Sequence, residues 1–315
     1  MITQRKPTKT IDEPLQCSSS SSLVPGIDYD LPSFKCPPEP PEIVQFGDAF
    51  PAYLWNLIID SVIIYMICPY FESLTQSRIP QHENYYHPFF ACILISYYLF
   101  TLIVRWVETD AHVFYEHCWA CNFVMLVSAY GMLTNTPLLT GLSCVIVAVD
   151  QMCWYLDITG FMLFNKYYIG VAKYLSHPNT SVSKKLTAWH HIWFMPLMLY
   201  TLHWQLPAFS FIMGSIMASS MTLVSRPSIP FYCLSQNRDE ESNKHKLIYL
   251  NVNCPYAFWE DIPFSFLHVL NHKAWYLYIP YLFLIANFVL NLPAVLLLTM
   301  LLMPFNGNFN ILTFS

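Results

Sequence analysis

An all-α helix bundle embedded in a membrane, with about seven spanning helices and one amphipathic helix lying in the interface, is the fold class the sequence predicts. Three observations predict it. Of 315 residues, 55% are hydrophobic and only 11% are charged, whereas a soluble domain covers itself with roughly 25% charged residues. The apolar residues gather into runs near the ~20 residues that a helix needs to cross ~30 Å of hydrocarbon. Lysine and arginine concentrate in alternate connecting loops, as expected of a chain threaded with its positive loops on the cytoplasmic side. A formal net charge of −5 and the lack of a basic run exclude a nucleic-acid partner; membrane lipids are the partners implied. The ten cysteines are read as free thiols rather than a disulfide framework. Cys68, Cys92, Cys118, Cys121, Cys144 and Cys153 lie in or beside apolar segments, where a thiol packs as a small hydrophobe.

Residues 1–45 contain the Ser18 to Ser22 run and Pro37-Pro38-Glu39-Pro40-Pro41, too little apolar area to offset chain entropy, so a disordered cytoplasmic tail is expected there. No cleavable signal is expected in it, and the multipass domain occupies 46–315. The spans are placed at about 50–68, 88–106, 113–133, 138–164, 186–204, 208–224 and 275–303. The sixth carries Gly214, Ser215, Ala218, Ser219 and Ser220, small enough for close helix contact. Between the sixth and seventh, Phe258 to Leu270 repeats its apolar residues at helical spacing and predicts the interfacial helix, distorted by Pro263. The seventh is long enough to tilt or to bend at Pro280 and Pro293.

Loop charge orients these spans. Lys166, Lys173, Lys184 and Lys185 lie between the fourth and fifth, and Arg226, Arg238, Lys244, Lys246 and Lys273 between the sixth and seventh; Arg78 is the single basic residue of the opposite loops. The N-terminus is therefore expected in the cytoplasm and the C-terminus across the membrane. Given these directions, Glu116, His117, Cys118, Cys121 and Asn122 of the third span enter at the cytoplasmic level, as do His190 and His191 of the fifth. Arg105 and Asp157 arrive there from the second and fourth spans, with Asp150 about two turns deeper. Ionisable groups are costly at such depth, so four helices delivering them to one layer mark a candidate site.

On an unbroken helix His117 and Cys121 share a face, as do Cys118 and Asn122. Cys118, activated by His190 or His191, is the candidate nucleophile. Asn122 would support an oxyanion or an imidazole, and Asp157 or Asp150 would orient a histidine. Arg105, Glu116, His117, Asp150 and Lys185 are the candidate substrate-binding groups. Cys121, Cys144 and Cys153 are read as packing residues. A zinc site from Cys118, Cys121, His117 and a histidine of the fifth span lacks a second CxxC, and CxxC on a regular helix presents its thiols three apart. Haem held by His190 and His203 lacks a matching pair on another helix. No metal or cofactor is expected.

Glu116-His117-Cys118-Trp119-Ala120-Cys121-Asn122, taken as acid-x-Cys-aromatic-x-x-Asn, and Pro196 to Trp204 with Lys185-Leu186-Thr187-Ala188 and His190/His191 before it, resemble segments of the glycerophosphocholine acyltransferase family of multipass membrane enzymes. The similarity spans about 114–204, with Ala188 where that family has serine. It implies acyl transfer near the cytoplasmic face of the endoplasmic reticulum or another endomembrane. The donor would be acyl-CoA or a phospholipid, the acceptor a lysolipid or glycerophosphodiester whose phosphate meets Arg105 or the lysines of the 165–185 loop. Two other classes fit the composition. One is a transporter or channel using Asp60, Asp150, Asp157 and Arg105 as a pathway, which the scarcity of glycine, 8 residues, disfavours. The other is a structural subunit of a membrane complex.

Overall fold

Helix α5 (Pro137–Phe164) is the axis of the molecule in the computed structural model, which describes residues 45–76, 85–178, 180–238, 245–258, 264–271 and 273–302. Two thirds of its most apolar stretch is buried, against 17–28% for the other long apolar helices. Against it pack α4 (Ala120–Thr134), α7 (His190–Thr201), α8 (Ser210–Ser228), α10 (Leu292–Leu302) and, more lightly, α1 (Phe46–Gln76); α2 (Pro88–Glu108) lies against α4, α3 (Val113–Glu116) against α1 and α2, α6 (Val182–Thr187) against α2, and α9 (Trp275–Leu284) runs into the segment before α10. The chain is thus mostly helical. The only strands among the described residues are β1 (Tyr232–Arg238) and β2 (His245–Tyr249), an antiparallel hairpin.

Four helices are long and apolar enough to cross a membrane: Phe46–Leu74, Pro88–Glu108, Pro137–Phe164 and Trp275–Leu301. The remaining expected spans are helical but shorter, broken or more polar. The third is split into α3 and α4, the fifth into α6 and α7, and α8 is rich in serine. Small residues do bring α8 close to α5: a Cβ at Gly214 would stand 2.6 Å from Val145 Cγ1. The last helix is not uniformly α. Pro293 cannot donate to the carbonyl four residues back, and the preceding Ile285–Asn291 winds as π-helix.

Where an amphipathic helix was expected at 258–270, the described part is a single 3-10 turn, Ser265–His268; residues 259–263, with Pro263, lie outside the described residues, as does the expected tail save Gln45. The hairpin is tied to the bundle by Asp110, which accepts from Ser235 Oγ and from the backbone and ring of His112. Burial alone would raise the Asp110 carboxyl, but these donors outweigh it and hold it well below the usual carboxylate range.

Candidate functional site

Between α3 and α4 the helix is interrupted. Trp119 has an extended backbone (φ −56°, ψ 138°), so the residues before and after it no longer follow one helical register. The side chain of Asn253, itself in a left-handed conformation that asparagine tolerates, fills the gap. Its Oδ1 accepts from Ala120 N at 2.8 Å and its Nδ2 donates to Cys118 O at 2.8 Å. Asn122 contributes from within, donating to Glu116 O at 3.2 Å. Two backbone groups freed by the break are thereby satisfied inside the protein, as a low-dielectric surrounding requires.

The break decides the fate of the two thiols. Cys118 is turned toward α1: its Sγ donates to Phe114 O, 3.4 Å away, and it packs in a cluster with Tyr53, Phe114 and Tyr115. Cys121, three residues later, faces α7. Its Sγ and one ring nitrogen each from His190 and His191 all lie within 4.8 Å of one another. The expected pairing of Cys118 with the histidines is therefore corrected to Cys121, because spacing on a continuous helix does not carry across the Trp119 kink.

Both histidines occupy the first turn of α7 and are buried. His190 Nδ1 donates to Thr187 O at 2.9 Å, which leaves Nε2 as the lone-pair nitrogen. That atom is buried with no hydrogen-bond partner among the described residues. The His191 ring stacks on Trp154 (centroids 4.4 Å, 8° between planes) and lies 4.1 Å from the His190 ring. Its Nδ1 is 3.1 Å from Asp150 Oδ2, so the proton sits on Nδ1 toward the carboxylate. The Gln151 carboxamide, 3.1 Å from the same nitrogen, meets that N–H best with its otherwise unpartnered oxygen turned inward.

Asp157 does not orient a histidine. Its carboxylate accepts from the backbone N–H of Ile169 (2.7 Å), Gly170 (2.8 Å) and Ala172 (3.1 Å). The loop after α5 thus folds across the Asp157 level, and α7 starts two turns back along α5, beside Asp150. Seven residues at ~1.5 Å rise account for the difference.

These groups open onto a cavity of about 500 Å³. Arg105, Glu116, His117, Cys121, Asn122, Asp150, His190 and His191 line it, and Cys118, Asp157 and Lys185 do not. Lys184 takes the place expected for Lys185, its ammonium 5.2 Å from the centre of the Tyr174 ring. Arg105 forms an ion pair with Glu116. His117 donates from Nδ1 to Val113 O at 3.0 Å, with Nε2 3.4 Å from the Thr101 hydroxyl. Asp60 lies apart from the cavity, beside Cys118, and accepts from Ser220 Oγ at 3.2 Å. Of the four charged residues considered as a transport pathway, Arg105 and Asp150 line this cavity and Asp60 and Asp157 do not.

The last helix also lines the cavity: Ile279, Leu282, Phe283 and Leu290 are apolar, while Asn287 and Asn291 bring two carboxamides. Sequence reasoning missed these asparagines. Two carboxamides four residues apart in an otherwise apolar span were the available signal. Compared with protein-family models, curated proteins and solved structures, the chain has no match in any of the three.

Proposed function

We propose that the chain is a multipass lipid acyltransferase of an endomembrane, with a cytoplasmic N-terminus and about seven crossings, some made by short or interrupted helices. What supports the reading is the mixed lining of the cavity. The last helix brings apolar side chains suited to an acyl chain beside Asn287 and Asn291, and the other elements bring Arg105, Lys184, the Asp150–His191 pair and the bare Nε2 of His190.

In this reading His190 is the general base. Its Nδ1 proton is fixed on Thr187 O, so Nε2 has the lone pair a base needs. An acceptor hydroxyl, on a lysolipid or glycerophosphodiester, would give its proton to Nε2 while its oxygen bonds to the acyl carbon of an acyl-CoA. The departing coenzyme A thiolate would then take the proton back. His191, held by Asp150 and Trp154, would keep the neighbouring ring in place. A phosphate would compete with Glu116 for Arg105 and meet Lys184.

The test uses microsomes from cells making the full chain, given labelled acyl-CoA with lysophosphatidylcholine or glycerophosphocholine. Transfer to one acceptor is expected, with His190→Ala lowering kcat/KM by roughly 10²–10⁴-fold at equal protein level. Absence of transfer by the wild-type chain to either acceptor sinks the reading.

A further inference from the structure

We infer that Cys121, His190 and His191 form a divalent transition-metal site, of zinc type, with its fourth coordination position open to the cavity. Three observations meet here. Sulfur and two ring nitrogens lie within 4.8 Å of one another, and a tetrahedral zinc with bonds of ~2.0–2.3 Å draws such atoms to ~3.3–3.8 Å apart, a contraction of roughly 1 Å. His190 Nε2, in a residue only 4% exposed, has no partner among the described residues, and buried nitrogens of that kind are rare without a ligand.

The third observation is independent of the donors themselves. Histidines that bind metal through one nitrogen nearly always donate from the other to a carboxylate or a backbone carbonyl. Both arrangements are present: His191 Nδ1 faces Asp150, and His190 Nδ1 donates to Thr187 O. Each ring therefore has its proton on Nδ1, which leaves Nε2 as the coordinating atom. One thiolate and two imidazoles suit zinc better than the hard, oxygen-seeking cations. Charge points the same way, since the two positive charges of the ion would match the Cys121 thiolate and the Asp150 carboxylate at a depth where neither is cheap alone.

Three protein ligands with one vacant position is the pattern of catalytic rather than structural zinc. The position would face the hydrocarbon-walled cavity, so the class of ligand it would take is a small oxygen donor, water or a substrate hydroxyl. The inference stands apart from acyl transfer, because metal is measured with no lipid present. Should both hold, a metal-held oxygen would take over the proton chemistry from His190, whose lone pair the ion would occupy.

The experiment is metal analysis of the full chain purified in detergent and equilibrated with Zn²⁺, together with absorption spectra after Co²⁺ loading. Wild-type protein is expected to retain one zinc per chain, with His190→Ala and His191→Ala at background. Asp150→Asn is expected to weaken binding about 10–100-fold, as removal of such a histidine partner does elsewhere. Cobalt-loaded wild type should show a thiolate-to-metal charge-transfer band that Cys121→Ser loses while its ligand-field bands remain; this readout survives even if a histidine variant misfolds. Cys92→Ser, at an exposed cysteine away from the cavity, should match wild type. Zinc content in His190→Ala equal to wild type, or a cobalt-loaded wild type lacking the thiolate band, overturns the inference. An inactive chain that still binds zinc in this pattern would sink only the acyl-transfer reading.

Discussion

Cys118 and Cys121 are the same residue three positions apart, and Asp150 and Asp157 are the same residue seven apart, yet each pair divides between two regions of opposite character. Cys118 and Asp157 are spent on the protein's own backbone, one donating to Phe114 O and the other collecting three N–H groups from the loop after α5. Cys121 and Asp150 meet the histidines of α7 at the edge of the cavity. Side-chain chemistry alone therefore does not identify the site; what the backbone has already claimed does.

Replacing each residue in turn sharpens the contrast. The largest effect is expected from Asp157→Ala, which orphans three backbone donors that now share a charged acceptor. At ~1.5–3 kcal/mol for each bond to a charged group, even with partial rescue by water, the loss is on the order of 4 kcal/mol. It should appear as a sharp fall in the melting temperature of detergent-solubilised protein. Asp150→Asn should leave the melting temperature close to wild type and act on metal content and turnover instead; equal melting shifts in the two variants would break the comparison.

A tenfold effect is expected at the thiols. In a Cys92→Ser background, a water-soluble thiosulfonate reagent should modify Cys121 through the cavity roughly tenfold faster than Cys118, since access governs reaction at such sites. Peptide mapping by mass spectrometry reads the ratio, and preferential labelling of Cys118 would reverse the assignment. The smallest effect belongs to Cys118→Ala. It removes one weak S–H donor and a little packing, at a cost of about 1 kcal/mol. Acyl transfer should stay within about twofold of wild type, whereas His190→Ala should not spare it.

Much of this was legible in the sequence, for identifiable reasons. Long apolar runs located α1, α2, α5 and the last helix, because hydrocarbon thickness fixes their length. The meeting of His191 with an aspartate of α5 followed from helix direction and loop charge, although the choice between Asp150 and Asp157 did not. That choice depends on where the loop after α5 folds, which three backbone hydrogen bonds determine. The exchange of Cys118 for Cys121 was equally hidden, since 3.6-residue periodicity assumes an unbroken helix and the break at Trp119 is held by a side chain far along the chain. Lys184 rather than Lys185 facing the cavity is a matter of rotation about the short, six-residue α6.

Asn253, which plugs that break, also bears on the timing of synthesis. It lies 133 residues beyond Ala120 and 135 beyond Cys118, the two residues whose backbone groups it satisfies. A ribosome feeding this chain into a membrane releases α3 and α4 long before Asn253 exists, so the kinked segment must wait with an open amide and carbonyl. Until residue 253 emerges the kink has no lock, and the thiol of Cys121 has no fixed aim toward α7. Nascent chains stopped before residue 253 should therefore carry every helix through α8 and still lack a finished site.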